Sequence, residues 1–509
     1  MASTSAGDDD GIKEESRPLL QPSTSQTSAE TKPPVTKKTS TVFRQFLILQ
    51  VFLGIIIALP SVPCGMSLGF SAVTFEQLNL NVDEASWYAS VTIMAFPIGS
   101  ILVGPLMDKY GRRPALMLIN VISLLGWLLL AVPATPPSVA KLISGRIITG
   151  IAGGVASVPA AVYAGECLCA QNLEIRTALV SWSTVALSAG ICLVFTAGAA
   201  LDYYAVASIA TLISITSLIL VAIFIPESPA WLILKGRHGD AEWSQREINI
   251  VPLPGPLDQP SEVEDLGQTA PPPPPPAPEP QTIKELLKPE AYKPLLIMIG
   301  FLFFQQFSGV FVIIAYMVDI VISSGVMIFN PYTVTVVAGW IILLVSVLAS
   351  IIYPKTGVRA IAALSGIGIT ASMLFIGSYL SLRHYWLLRP GWSFLEWAPV
   401  IAILANIAVS TIGFLILPWS MLGEVFPLTV KGLAAGIATC LGFLFGFIAL
   451  KIYPYIQLGV GSSGVFFFFG SMALIGTIFV VLFLPETRGK SLQEILDGFS
   501  KKKKKDTNK

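Results

Sequence analysis

Two glutamines, Gln305 and Gln306, stand side by side in an apolar stretch, Phe304-Gln-Gln-Phe-Ser-Gly309. A primary amide donates and accepts hydrogen bonds through one side chain. Surrounded by hydrocarbon it is costly, so such a pair either lines a wet cavity or bonds to neighbouring helices. A second group is ionic. Gly104-Pro-Leu-Met-Asp108-Lys-Tyr-Gly111-Arg112-Arg113 reads as a tight turn whose glycines permit close helix approach. Asp108, Arg112 and Arg113 can pair with Glu166 and Arg176 at the ends of neighbouring apolar stretches. Such charges either fix the orientation of the chain or form a gate that breaks when two parts of the molecule rock, and the presence of every member favours the gate.

The rest of the chemistry is narrow. His238 and His384 fall in loops, and Gly-x-x-x-x-Gly-Lys-Ser/Thr, the phosphate-binding loop of a pump, does not occur. No nucleophile, base and orienting group can be assembled, so the chain is not expected to be an enzyme. The five cysteines, Cys64, Cys167, Cys169, Cys192 and Cys440, show no zinc-type spacing and read as small apolar packing residues. Cys167 and Cys169 fall at a membrane end where reversible acylation is an option. No metal and no cofactor are expected. Proton coupling needs a titratable group in the path. From Phe46 to Phe75 there is no acidic residue, and Asp319 is the one candidate, so passive uniport is expected.

What must position these residues is a membrane. Of the residues, 53% are hydrophobic and 12% charged, where a soluble chain carries about a quarter charged. Between short charged stretches lie apolar segments of about twenty residues, enough to cross a hydrocarbon core of about 30 Å. About twelve such segments are predicted, starting near residues 46, 86, 115, 143, 177, 204, 294, 332, 358, 397, 429 and 464. Alternating strand patterning is absent, so the expected fold is an all-α membrane protein.

Lys and Arg cluster at Lys37, Lys38 and Arg44, at Lys109, Arg112 and Arg113, at Lys235 and Arg237, from Lys284 to Lys293, at Lys355 and Arg359, and at Arg488 and Lys490. With twelve spans these fall on one side, which makes that side and both termini cytosolic. Arg383 and Arg389 are exceptions. Residues 1–42 are polar, without an apolar leader, and predict a disordered cytosolic tail. Within it Glu15-Ser-Arg-Pro-Leu19-Leu20 matches an acidic dileucine sorting signal, which clathrin adaptors could read. It leaves the plasma membrane and an endosomal or lysosomal membrane both open. Residues 231–290 form a linker rich in Pro, with Pro271 to Pro276 predicting extended polyproline structure and Thr282–Lys288 a short amphipathic helix. Residues 486–509 end in the basic run Lys501 to Lys505, read as a tail near anionic lipid headgroups and not as a nucleic-acid site.

Three motifs recur in order. The Gly104–Arg113 turn is answered by Tyr353-Pro-Lys355-Thr-Gly357-Val-Arg359. Gly165-Glu166 is answered by Gly423-Glu424-Val-Phe-Pro427. Pro226-Glu227-Ser-Pro229 is answered by Pro485-Glu486-Thr-Arg488-Gly489. Two six-helix pseudo-repeats follow, over residues 43–230 and 291–485, the arrangement of the major facilitator fold.

With Phe304–Gly309 and Leu417-Pro418-Trp419, these motifs resemble the sugar-porter family of glucose-transporter type over residues 45–497. Ser86-Trp87-Tyr88 and Thr184 resemble its insect facilitated trehalose transporter-like branch. The resemblance implies a hexose or trehalose held by Gln305 and Gln306, stacked on Trp419, with Thr184 where many glucose carriers have glutamine. It implies Glu227, Lys355, Arg359, Glu424, Glu486 and Arg488 in the charge network. The chain departs from the family at Phe311, which stands for an asparagine, and at Ile342, Gly442 and Leu415-Ile416. Each missing polar partner costs about 1–3 kcal/mol of binding. These losses leave two alternatives open, a non-transporting sugar sensor and a carrier of a less polar molecule.

Overall fold

The computed structural model describes residues 37–133, 138–167, 173–248, 286–326, 328–353, 356–386, 397–422, 425–427 and 430–486, with Glu494 and Phe499. Residues 1–45 separate from a compact unit, Phe46–Lys509, which carries everything that follows except the start of the first helix; the first span within it is Ile48–Ala58 with Ser61–Leu78.

Helices α1 (Lys37–Ala58) and α2 (Ser61–Leu78) form the first span, bent by 43° at Leu59–Pro60. The second is α3 (Val82–Tyr110) and the third α4 (Arg112–Ala131). α5 (Val139–Ala156) and α6 (Pro159–Cys167) make the fourth, α7 (Leu173–Gly198) the fifth and α8 (Tyr203–Phe224) the sixth. Two short helices follow, α9 (Pro229–Leu234) and α10 (His238–Ile248). The seventh span is α11 (Pro289–Phe307), α12 (Val310–Ala315) and α13 (Met317–Ser323). Then come α14 (Pro331–Ile352) and α15 (Val358–Trp386). The tenth span is α16 (Ala398–Ser410), a π-helical stretch Thr411–Leu415, and α17 (Leu417–Met421). α18 (Lys431–Phe483) is 53 residues long, more than twice the length that crosses a bilayer. It breaks at Gly461, φ 71°, and supplies the eleventh and twelfth spans.

Among the described residues ten helices are long and apolar enough to cross a membrane, or eleven with the bent first pair, and the division of α18 completes twelve. The second span starts earlier than its apolar run. Asn81 and Glu84 form a capping box that begins α3 ahead of Ser86. The stretch expected to open a polyproline linker begins instead as helix α10. It contains no proline and buries Ala241, Ser244 and Ile248 on one face, with Ala241 against Trp231 and Leu232 of α9. Pro271 to Pro276 lie outside the described residues, as does most of Thr282–Lys288.

The interruptions recur every third span: in the first, fourth, seventh and tenth. Proline explains three of them, at Pro60, Pro159 and Pro418, because it lacks an N–H and crowds the preceding turn. At the seventh the break is Gly309, whose φ of 84° is disfavoured for a residue with a Cβ. In a membrane, non-helical backbone is tolerated only where it is buried in protein or lines a cavity. The breaks therefore mark the middle of the bundle as the place to look. Between the halves α3 packs on α18, α7 on α14, and α2 on α12 and α13.

Candidate functional site

The buried glutamines and the buried arginine lie on the broken spans. Gln305 is fully buried and its Nε2 donates to the carbonyls of Phe414 (2.6 Å) and Leu415 (3.1 Å). Those carbonyls belong to the π-helical stretch, where the widened turn leaves acceptors outside the regular ladder. Of the two options its sequence left open, Gln305 takes the helix bond. It bonds a neighbouring helix with its donors and keeps an acceptor, Oε1, without a partner. Gln306, 1% exposed, also holds an Oε1 without a partner. Two buried amide oxygens on adjacent residues are costly unless something with hydroxyl or amine donors visits them.

Trp419 is half-buried, and its ring stacks on Phe443 at 4.8 Å and 24°. Phe443 in turn meets Phe96 of α3 at 4.8 Å, so a line of three rings crosses between the halves. Phe311 lines a small cavity with Thr92, Ile93, Arg146, Ile314 and Leu450, with room for little more than a water molecule. That is far below the roughly 300–1,000 Å³ of ligand sites, so this conformation leaves no room for a sugar there. Thr184 is not joined to these glutamines by any contact among the described residues. Its carbonyl accepts from Ser188 (3.1 Å), which bonds Ser346 of α14 (2.7 Å) and ties the two halves there.

Sequence reasoning missed Arg146. It is 1% exposed in the middle of α5, in Gly145-Arg-Ile-Ile-Thr-Gly150. Its Nε donates to the Tyr88 carbonyl (3.2 Å) and its Nη1 to the Ser67 carbonyl and, at 3.4 Å, to Ser67 Oγ. The guanidinium lies 5.1 Å from the Tyr88 ring centroid. Among the described residues it has no carboxylate partner. The signal was present: an ionisable residue in a span is a functional candidate by default.

The charged turn lies at one face of the bundle, the basic face. Arg112 grips Glu166 through Nη2 (2.9 Å) and Nε (3.1 and 3.2 Å), and Glu166 also accepts from Ser228 Oγ (2.5 Å). Glu227 caps α4: its Oε1 accepts the N–H groups of Arg112 (2.8 Å), Arg113 (3.2 Å) and Ser228 (2.9 Å). A negative charge at a helix N-terminus is favourable. A side chain at Gly111 would collide with that carboxylate. Arg113 Nη2 donates to the Ala222 carbonyl (2.6 Å). Asp108 is exposed, and its carbonyl accepts from Trp231 Nε1 (3.2 Å).

The second half repeats this. Glu486 accepts the N–H of Val358 at the start of α15 (3.0 Å), Gly357 leaves it room, and Arg359 Nη2 donates to the Val481 carbonyl. The recurrence of motifs is therefore a recurrence of one helix-capping device. Arg176 lies on α7 with its side chain outside the described set. Lys355, Glu424, Arg488, Glu15, Leu19 and Leu20 are outside the described residues.

On the opposite face the contacts cross between the halves. Lys451 of α18 meets Asp83 of α3 at 3.2 Å, donates to Ser86 Oγ (2.6 Å) and lies 4.3 Å from the Trp87 ring centroid. Tyr455 also donates to Asp83. Ser71 Oγ donates to the Ala315 carbonyl (3.0 Å), and Tyr332 to Glu76 (2.7 Å). Phe75 stacks on Tyr316 at 5.2 Å. Asp319 accepts from Tyr453 (3.2 Å), within its own half.

A family profile described as "Sugar (and other) transporter" matches residues 36–499. A facilitated trehalose transporter Tret1 of Apis mellifera ligustica is 31% identical over 425 residues, covering 84% of this chain and 81% of that one. A facilitated trehalose transporter Tret1 of Anopheles gambiae is 28% identical over 499 residues, and the chain spans 60% of its length. The Aedes aegypti protein of the same name is spanned to 59%. Among solved structures, the xylose transporter XylE of E. coli in a partially occluded inward-open conformation superposes with a TM-score of 0.66 at 20% identity, covering 87% of this chain and 99% of that one. The proton:xylose symporter XylE bound to 6-bromo-6-deoxy-D-glucose gives 0.65 at 19% identity, with 90% and 99% covered. At that identity the likeness shows the major facilitator fold.

Proposed function

The chain belongs to the sugar (and other) transporter family, and from that premise we infer that it is a facilitative sugar carrier working by alternating access, with a hexose or trehalose as cargo. The observation that carries the reading is the pair of buried, unpartnered amide oxygens of Gln305 and Gln306 beside the break at Gly309. A sugar is a ring of hydroxyls, each a donor for such an acceptor. The trehalose transporters of insects named above make trehalose the first sugar to try. The halves are two six-helix bundles, residues 43–230 and 291–485, joined by residues 231–290, with the substrate between them. The basic face and both termini are cytosolic by the positive-inside rule. The chain sits in the plasma membrane or an endosomal or lysosomal one. In the second case adaptors read Glu15, Leu19 and Leu20, and replacing both leucines by alanine moves the protein to the cell surface.

The test is counterflow in proteoliposomes with trehalose, glucose and fructose, with Gln306→Ala as control. Saturable exchange that the substitution abolishes supports the reading. One observation favours a less polar cargo: Phe443 covers a face of Trp419 that a sugar ring would use. Absence of exchange of all three sugars by folded protein moves the assignment to that cargo or to a sensor.

A further inference from the structure

Gln305 and Gln306 are held in different ways. The donors of Gln305 are fixed on two carbonyls. The Gln306 amide is fixed by no hydrogen bond among the described residues, and its position is set by the space around it. That space is made by Gly446, buried on α18 where this helix crosses α11 and α3. A Cβ at Gly446 would lie 2.7 Å from Gln306 Oε1, 3.1 Å from its Cδ and 3.2 Å from Ile93 Cγ2. Gly446 has ordinary helical backbone angles, so the conformation does not demand glycine there. The space a Cβ would take is filled mainly by the amide, with the Ile93 methyl beside it.

We propose that Gly446 is a positioning residue for substrate recognition: the missing side chain is the seat in which the Gln306 amide is held toward the centre of the bundle. The proposal rests on the reading of Gln306 as a sugar ligand. A methyl at 446 meets the end of a flexible side chain instead of backbone, so the fold yields by moving the amide. Alanine is also the better helix former, which offsets the local cost to stability. The consequence falls on affinity.

The experiment measures half-saturation, maximal rate and thermal midpoint for wild type, Gly446→Ala, Gln306→Asn and the double variant. The cargo is whichever of trehalose, glucose and fructose exchanges best in counterflow. In Gln306→Asn the side chain is one methylene shorter, and its amide clears the added methyl. Gly446→Ala is expected to raise half-saturation about tenfold, the loss of one hydrogen bond. Its maximal rate and thermal midpoint stay near wild type, and it adds nothing in the Gln306→Asn background. Such non-additivity marks two residues acting through one interaction. An equal effect in both backgrounds, an effect on maximal rate alone, or no effect while Gln306→Asn weakens binding overturns the proposal and leaves the sugar-ligand reading intact. Wild-type affinity in Gln306→Asn, or no exchange by folded wild-type protein, overturns both.

Discussion

The two faces of the bundle are built on opposite plans. On the face of Asp83 and Lys451 the polar contacts of Asp83, Ser71 and Glu76 join residues of different halves, and one apolar cluster runs through both, from Phe70 and Tyr88 to Tyr316 and Tyr453. On the basic face a separate cluster, including Leu53, Met107, Leu116 and Tyr163, contains first-half residues only. There Arg112, Arg113, Glu166, Glu227 and Arg359 bond inside their own half. Among the described residues, then, contacts clasp the halves at one face, while at the other these bonds brace each half for itself. The sequence presents Asp108, Arg112, Arg113 and Glu166 as a gate between moving parts. In this conformation Arg112 pairs with Glu166 as that reading expects, and with Glu227 these residues join α4, α6 and the α8–α9 connection, while Asp108 is exposed. A clasp has to break in every transport cycle and must be weak, whereas a brace has no such limit.

The comparison is broken most directly at its strongest point. The side chains of Arg112 and Glu166 are 11% and 23% exposed, between the surface and the buried regimes of ion pairs. Arg112→Ala strands Glu166 and is expected to cost about 2–3 kcal/mol. The check is the thermal midpoint of purified protein, which should fall clearly. A brace predicts lost stability, whereas a strap between halves predicts altered access with stability kept, and that second outcome would reverse the assignment of the basic face.

The clasp should respond in the other sense. Asp83 is 72% exposed, so its pair with Lys451 is worth little by itself, and the Trp87 ring adds about 0.5–1 kcal/mol. Lys451→Met is expected to shift the balance between closed and open by about 1 kcal/mol, roughly fivefold in population. A cysteine placed at Ala89, beside the cavity, should then react several-fold faster with an impermeant maleimide applied from the Asp83 face. Unchanged labelling means that the apolar cluster, not the ionic contact, holds this face shut.

The fold was legible because a bilayer imposes length and apolarity on every span, and because two halves repeating three motifs leave few topologies. The buried amides were legible for the same reason, since polar residues stand out against hydrocarbon. Their partners were not. No residue type marks Thr411–Leu415 as π-helical, so the carbonyls that hold Gln305 could not be foreseen. Nor could the clasp, whose ends Asp83 and Lys451 lie 368 residues apart and meet only once two bundles face each other. Arg146 was legible too, as an ionisable residue inside an apolar span.

A finer test sets the two halves of the brace against each other. Glu227 accepts three backbone N–H groups with one oxygen, and Glu486 caps α15 through Val358. Replacing either by glutamine keeps an acceptor and removes the charge at a helix N-terminus, worth about 0.3–1 kcal/mol. Both variants should lower the thermal midpoint slightly, Glu227→Gln by more. A larger loss for Glu486→Gln would place the tighter brace in the second half.

The smallest expected effect is at Asp319. It accepts from Tyr453 near the clasped face, and both residues belong to the second half, so losing or gaining a proton there makes or breaks no described hydrogen bond between halves. A coupled carrier needs the reverse: a group whose proton is linked to the movement of one half against the other. Asp319→Asn is therefore expected to leave counterflow unchanged, and wild-type uptake should not follow an imposed pH gradient. Uptake that tracks the gradient and loses that dependence in the Asn variant would make Asp319 a coupling site. The clasp would then hold a proton switch as well as a latch.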